Sequence, residues 1–226
     1  DLARRTNMEI RSNKIPLNIV KNHFLTYPKN LPSYFKDIPN LFNSKNPLSK
    51  TPKSCSGILN LYARSVVFTN PFDIQINFED DKWEAFVGAG DLGQNTVSDV
   101  PYEQFFKYKD NGKYKAILKF NFGINVQSKY PIYLNNPWWN LNNFEIVPGV
   151  LNCKNPLELN FFMPIEKNVE TLNIKQGTPL YLISSETTSK LKINFTKKLF
   201  NSNCINGLQY RFSTLKDMFL GKKFDE

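Results

Sequence analysis

Histidine is all but missing: His23 is the only one in 226 residues. A zinc site with two or more imidazoles, a His/carboxylate facial triad and any other multi-histidine centre within one chain are thereby excluded. Cysteine is scarce as well. Cys55, Cys153 and Cys204 lie far apart and form no C-x-x-C, so the chain is no disulfide scaffold and reduced thiols are expected. No apolar run approaches the ~18 residues that a membrane span needs. No charged-then-apolar leader opens the sequence, so neither a membrane nor secretion by a recognisable signal is expected. Acidic residues are the minority, with 20 Asp+Glu against 29 Lys+Arg for a net charge of +9.

What is present supports a real core. Hydrophobic residues make up 41% of the chain and aromatics 14%, which excludes wholesale disorder. The length suits one large domain or at most two. Asn is abundant, at 29 residues. Its side chain bonds nearby backbone and tolerates the left-handed region, so its surplus fits many short strands joined by turns. Asn, Lys, Ile and Phe also share A/T-rich codons, so part of the basic surplus reflects base composition.

Charge is unevenly spread. Residues 1–56 hold 10 basic and 3 acidic residues, whereas residues 57–106 hold 2 and 8. A nucleic-acid binder concentrates positive charge on a folded face. Here the surplus lies in a Pro/Asn/Lys-rich stretch, so nucleic acid is not the favoured partner. Prolines at 16, 28, 32, 39, 47 and 52 interrupt any long helix, and residues 1–56 read as an irregular basic N-terminal arm. Apolar clusters within it (Ile15, Leu17, Ile19; Tyr34, Phe35; Leu41, Phe42) suggest that it packs on something, with the acidic block at 57–106 as the candidate surface within the chain.

From residue 57 the periodicity sharpens into one β-rich domain, 57–226. Ile58, Leu61 and Tyr62 suit a short helix, and Val66-Val67-Phe68 a strand. Ile74, Ile76 and Phe78 alternate with polar residues, Glu79 to Lys82 form a hairpin tip, and Trp83 to Val87 return. Tyr114, Ala116, Leu118, Phe120 and Phe122 share one face of a strand whose other face carries Lys113, Lys115, Lys119 and Asn121. Further strands are expected at 130–134, 144–151, 157–163, 171–175, 180–185 and 190–196. Leu208, Phe212, Leu215 and Phe219, ahead of Gly221, predict a closing helix over about 206–221. The expected fold is mainly β: an antiparallel β-sandwich, jelly-roll-like, or a barrel, with a proline-rich N-terminal arm and a C-terminal helix.

Several motifs invite chemistry. Gly88-Ala89-Gly90-Asp91-Leu92-Gly93 matches G-x-G-x-x-G, but Gln94 to Pro101 is poor helix material, and the dinucleotide fingerprint needs a helix there. It reads as a loop between strands. Asp80, Asp81 and Asp91 are the weak metal candidates, in a spacing that matches no calcium loop. No catalytic residue stands out, because a nucleophile–histidine pair would have to use His23 in the arm, and no cofactor is implied. The most aromatic stretch is Pro137-Trp138-Trp139 with Tyr130 and Tyr133 upstream. Large amphipathic rings either anchor a core or stack on sugars, bases or a protein partner. Tyr130, Tyr133, Trp138 and Trp139 are the candidate binding residues.

A family resemblance joins several fragments in order. Leu31-Pro32-Ser33-Tyr34-Phe35-Lys36 precedes Thr51-Pro52-Lys53-Ser54-Cys55-Ser56-Gly57-Ile58. Pro137-Trp138-Trp139, Ile146-Val147-Pro148-Gly149-Val150 and Ile174-Lys175-Gln176-Gly177-Thr178-Pro179-Leu180-Tyr181 follow. Together they resemble an uncharacterised protein family carried by large tailed phages of marine bacteria, cyanophages in particular. The resemblance spans roughly residues 31–185 and implies a viral protein with no assigned activity. Some such relatives carry a His-rich segment about where this chain has Gly88–Gln94, so no metal role transfers. The run from Pro148 to Leu180 is also similar to the end of dUTPase-like folds. The catalytic acid of those enzymes would fall near Asn152-Cys153, where this chain has no Asp.

The expectation is a non-enzymatic, phage-encoded binding or virion-associated protein, acting in the host cytoplasm or the virion. Its partner would be a protein or small ligand, and it could form a homo-oligomer. The alternative is a β-barrel enzyme of nucleotide-hydrolase (dUTPase-like) or cupin-like oxygenase descent. The missing acid weighs against the first and the missing histidines against the second.

Overall fold

The computed structural model describes residues 6–38, 53, 55–79, 82–93, 95–100, 113–137, 144–185 and 190–197. Along the chain these form β1 (Thr6–Ser12), α1 (Leu17–Asn22), β2 (Phe24–Leu25), α2 (Ser56–Arg64), β3 (Val66–Thr69), β4 (Ile74–Glu79) and β5 (Lys82–Val87). Then come β6 (Val97–Asp99), β7 (Tyr114–Ser128), β8 (Ile132–Asn135) and β9 (Gly149–Leu151). The last are β10 (Leu157–Glu166), β11 (Thr171–Ile174), β12 (Pro179–Ser185) and β13 (Leu191–Phe195). The protein is mainly β, as the alternating apolar pattern predicts, and its sheets curl into a half-barrel. The expected helix at 206–221 lies outside the described residues.

Three sheets share one apolar core. The large sheet runs β10-β7-β1-β13, with β6 also on β7; a small sheet runs β11-β4-β5; the third runs β2-β3-β12-β8-β9. Their inward positions, among them Met8, Ile10, Phe68, Ile76, Phe120, Phe161 and Ile183, are all essentially buried in a single cluster. A chain of rings ties sheet to sheet. Phe120 stacks on Phe161 at 4.8 Å, Phe161 meets Phe122 at 5.4 Å and Tyr181 edge-on at 6.0 Å, and Phe122 reaches Phe68 at 6.0 Å. Stacked and edge-to-face pairs of this kind add about 0.5–1.5 kcal/mol each beyond the area they bury.

The reading of residues 1–56 as a wholly irregular arm is corrected over 6–25. β1 is an interior strand, antiparallel to β7 and parallel to β13. Thr6, Met8 and Ile10 are fully buried while Asn7 stays exposed, the signature of a half-buried strand. The parallel β1–β13 pair is also a departure from an all-antiparallel plan. It joins segments some 185 positions apart in register, Thr6 opposite Leu191 and Ile10 opposite Phe195. Further along, buried Asn30 donates from Nδ2 to the carbonyls of Tyr62 (2.7 Å) and Ser65 (3.0 Å), where α2 ends. α2 itself covers the back of the third sheet, with Tyr62 packed on Val67 and Leu182.

β7 is the longest strand because it serves two successive neighbours on one side. Residues 118–120 pair with β6, and residues 124–128 with β1. Gly123 lies between the two, at φ +65°, and its carbonyl accepts from the Asn13 N–H at 3.0 Å. A side chain there would collide with Asn13 Oδ1 and Lys14, so both the positive φ and the close approach require glycine. Of the expected strand 144–151 only 149–151 joins the ladder. Pro148 offers no donor, and Ile146 instead drops into the core while the Val147 N–H bonds the Phe162 carbonyl at 2.9 Å.

Candidate functional site

The sequence-predicted aromatic site is only partly within view. Trp138 and Trp139 lie outside the described residues. Tyr130 sits in the turn before β8, half-buried, with its N–H donating to Ser128 Oγ at 3.3 Å and the Lys129 ammonium 5.7 Å from its ring centre. Tyr133, on β8, stands in register with Ser184 on one side and Val150 on the other. Val150 is 58% exposed. Tyr133 and Val150 therefore share the sheet face whose Leu182 region α2 covers, but beyond the strip that the helix reaches. Pro137 is buried, and the Ile146 N–H donates to Asn136 Oδ1 at 3.3 Å.

Asp80 and Asp81 lie outside the described residues, and Asp91 falls in a 3-10 turn, Gly90–Gly93. Among the described residues no three His, Cys, Asp or Glu side chains gather as a metal site would require. The G-x-G-x-x-G segment leads through that turn to β6 rather than into an α-helix, so no helix N-terminus faces a phosphate. His23 is 7% exposed, with Nδ1 at 2.9 Å from Thr69 Oγ1. Its carbonyl accepts from the Thr69 N–H at 2.9 Å. Burial pushes its pKa below the usual imidazole range. The ring is thus built into the β2–β3 junction. No helix among the described residues is long and apolar enough to cross a membrane.

Among the described residues, the small sheet presents a second candidate surface, away from the aromatic stretch. The small sheet buries Ile74, Ile76, Phe78, Leu172 and Ile174 on its inner face. Its outer face carries the alternate residues. In register across β11, β4 and β5 stand Asn173, Gln75 and Phe86, and beside them Thr171, Asn77 and Glu84. Gln75 Nε2 donates to Asn77 Oδ1 at 3.1 Å. Phe86 is 51% exposed. At the end of the sheet an open groove of about 710 Å³ runs between Asp73, Gln75, Phe86, Gly88, Asn173 and Lys175. That volume lies within the ~300–1,000 Å³ of small-molecule sites.

Below the groove a buried amide fixes the backbone. Asn70 is fully buried, and its Nδ2 donates to the carbonyls of Phe72 and Ile174, the latter at 3.1 Å. Its N–H donates to Thr178 at 2.7 Å, and its carbonyl accepts from Gly177 at 2.8 Å. Gly177 takes φ +83° to close this turn. Asp73 Oδ1 accepts from the Gln176 N–H at 2.7 Å, and the Gly88 N–H donates to the Asp73 carbonyl at 2.8 Å. The three strand ends lining the groove are thus tied to one another.

One sequence signal could have found this surface. Phe86 shares strand parity with Lys82 and Glu84, which puts a phenyl ring on the charged face of a hairpin. No protein-family model, curated protein or solved structure matches this chain.

Proposed function

We propose that this protein is a non-enzymatic binding protein that takes a small ligand in the groove of the small sheet. The observation that supports this reading is the exposed Phe86 ring, in register with Gln75 and Asn173, on a backbone held by Asn70. A single exposed ring on a protein surface needs no explanation. A ring beside convergent amides over a groove of ligand size does. The groove offers no base paired with a nucleophile: its one carboxylate, Asp73, is already engaged by the Gln176 N–H. Binding rather than bond-breaking is what such a surface can do. The resemblance to marine-phage proteins supplies the setting, a viral protein at work in the infected host or the particle.

The test is backbone-resolved nuclear magnetic resonance on the labelled full chain with a mixture of small polar fragments. Shifts clustered on the amides of Gln75, Phe86, Gly88, Asn173 and Lys175 would support the proposal. Shifts confined to other surfaces, Tyr133 and Val150 included, or no shifts at all, would overturn it.

A further inference from the structure

We infer that the ligand of this groove is a neutral saccharide, a run of uncharged sugar rings; the inference rests on the groove being a ligand site. Three features of the lining point there, and each removes a competing class.

The first is the mixture of hydrogen-bonding groups. Of the lining residues, Gln75 and Asn173 are amides, and every amide side chain both donates and accepts. A sugar hydroxyl does the same, so two neighbouring amides match sugar hydroxyls whichever way each is turned. Carboxylates could only accept and ammonium groups only donate.

The second is the charge. The lining contributes one carboxylate, Asp73, and one ammonium, Lys175. Phosphates and other anions are held by clustered cations or by the Arg fork, in bidentate, charge-assisted contacts. A single lysine beside an aspartate leaves the groove close to neutral. Nucleotides are disfavoured for that reason, although the ring could stack a base.

The third is Phe86. The C–H face of a pyranose ring is apolar enough to lie on an aromatic face while its edge remains hydrogen-bonded, and Phe86 presents such a face next to Gln75. Strands sit about 4.8 Å apart, so the row from Asn173 through Gln75 to Phe86 spans about 10 Å, long enough to engage more than one sugar unit. The groove is open rather than closed over, which suits an extended oligomer passing along it.

The experiment is the same backbone-resolved titration, with maltohexaose, cellohexaose and the hexamer of N-acetylglucosamine as probes, and dTTP and inorganic phosphate as anionic comparators. At least one neutral hexamer is expected to shift the amides of Gln75, Phe86 and Asn173. Phe86→Ala should weaken that binding about three- to tenfold, the loss of one ring contact, and Phe86→Trp should retain it. Phe86 is exposed, so the variants stay folded, and their unchanged amide spectra away from the groove confirm it. If the fragments reach the groove and no saccharide does, the saccharide assignment falls while the binding role stands. If neither reaches it, both fall. Stronger groove shifts from dTTP or phosphate, or saccharide shifts that ignore Phe86→Ala, would also overturn the assignment.

Discussion

His23 joins two strands through its carbonyl and its ring, and the ring has lost most of its water. Desolvation disfavours the imidazolium, so the folded-state pKa lies below the unfolded value of about 6.5. The unfolded chain then takes up the proton first. Stability is full above about pH 6.5 and declines as pH falls through that value towards the folded pKa. Denaturant melts of the protein and of His23→Gln between pH 7.5 and pH 5 check this. The slope in that window should flatten in the variant, and an unchanged slope would place the acid sensitivity elsewhere. At the same scale, burial lifts the Tyr62 hydroxyl to about 12 and that of Tyr181 still further, so neither phenol ionises near neutrality. The Tyr181 hydroxyl donates instead to the Val147 carbonyl at 3.1 Å.

Residues also mark where the sequence was silent. Asn70-Pro71 signals a turn, and a turn is there. Nothing local says that Asn70 will be fully buried and will hold carbonyls a hundred positions away. That role exists only once the turn at 175–178 arrives. Phe86 is similar. Its parity with Lys82 and Glu84 was legible, but whether that face meets a helix or open water is decided by the other sheets.

Among the elements, β4 and β7 were readable because long alternation leaves only one way to hide the apolar face. β1 was not. Its Met8 and Ile10 alternate with Asn7, Glu9 and Arg11, but the run is short and followed by Pro16, and its parallel partner β13 is remote. Two positions on either side of Gly123 were likewise within one periodic strand, yet the change of neighbour from β6 to β1 at that point is a tertiary fact. Gly123→Ala should destabilise the protein by about 2–3 kcal/mol, combining a disfavoured positive φ with a collision against Asn13 and Lys14. Chemical denaturation measures it. A loss under ~0.5 kcal/mol would mean that the β1–α1 turn yields freely.

At the scale of the whole molecule, the described residues form three sheets around a continuous apolar interior, and their ion pairs lie at the surface. The ion pairs Arg11–Glu9 at 3.1 Å and Lys113–Glu166 at 2.8 Å are partly or largely exposed, and such pairs contribute ~0–1 kcal/mol. Phe161 sits where the ring chain branches, touching Phe120, Phe122 and Tyr181. Phe161→Ala should cost about 3–5 kcal/mol in an equilibrium melt, and a cost near 1 kcal/mol would show that the neighbouring rings collapse into the space. Buried Thr6, Met8 and Ile10 belong to the same interior, and their strand finds its second neighbour only in β13. At ribosomal speeds of roughly 5–20 residues per second, about 10–40 s separate the emergence of those two segments. Through that interval the early strand has an open flank, so a chaperone or a sister chain can claim it first. Production of this protein in quantity should therefore be governed by how fast synthesis finishes as much as by how stable the finished molecule is.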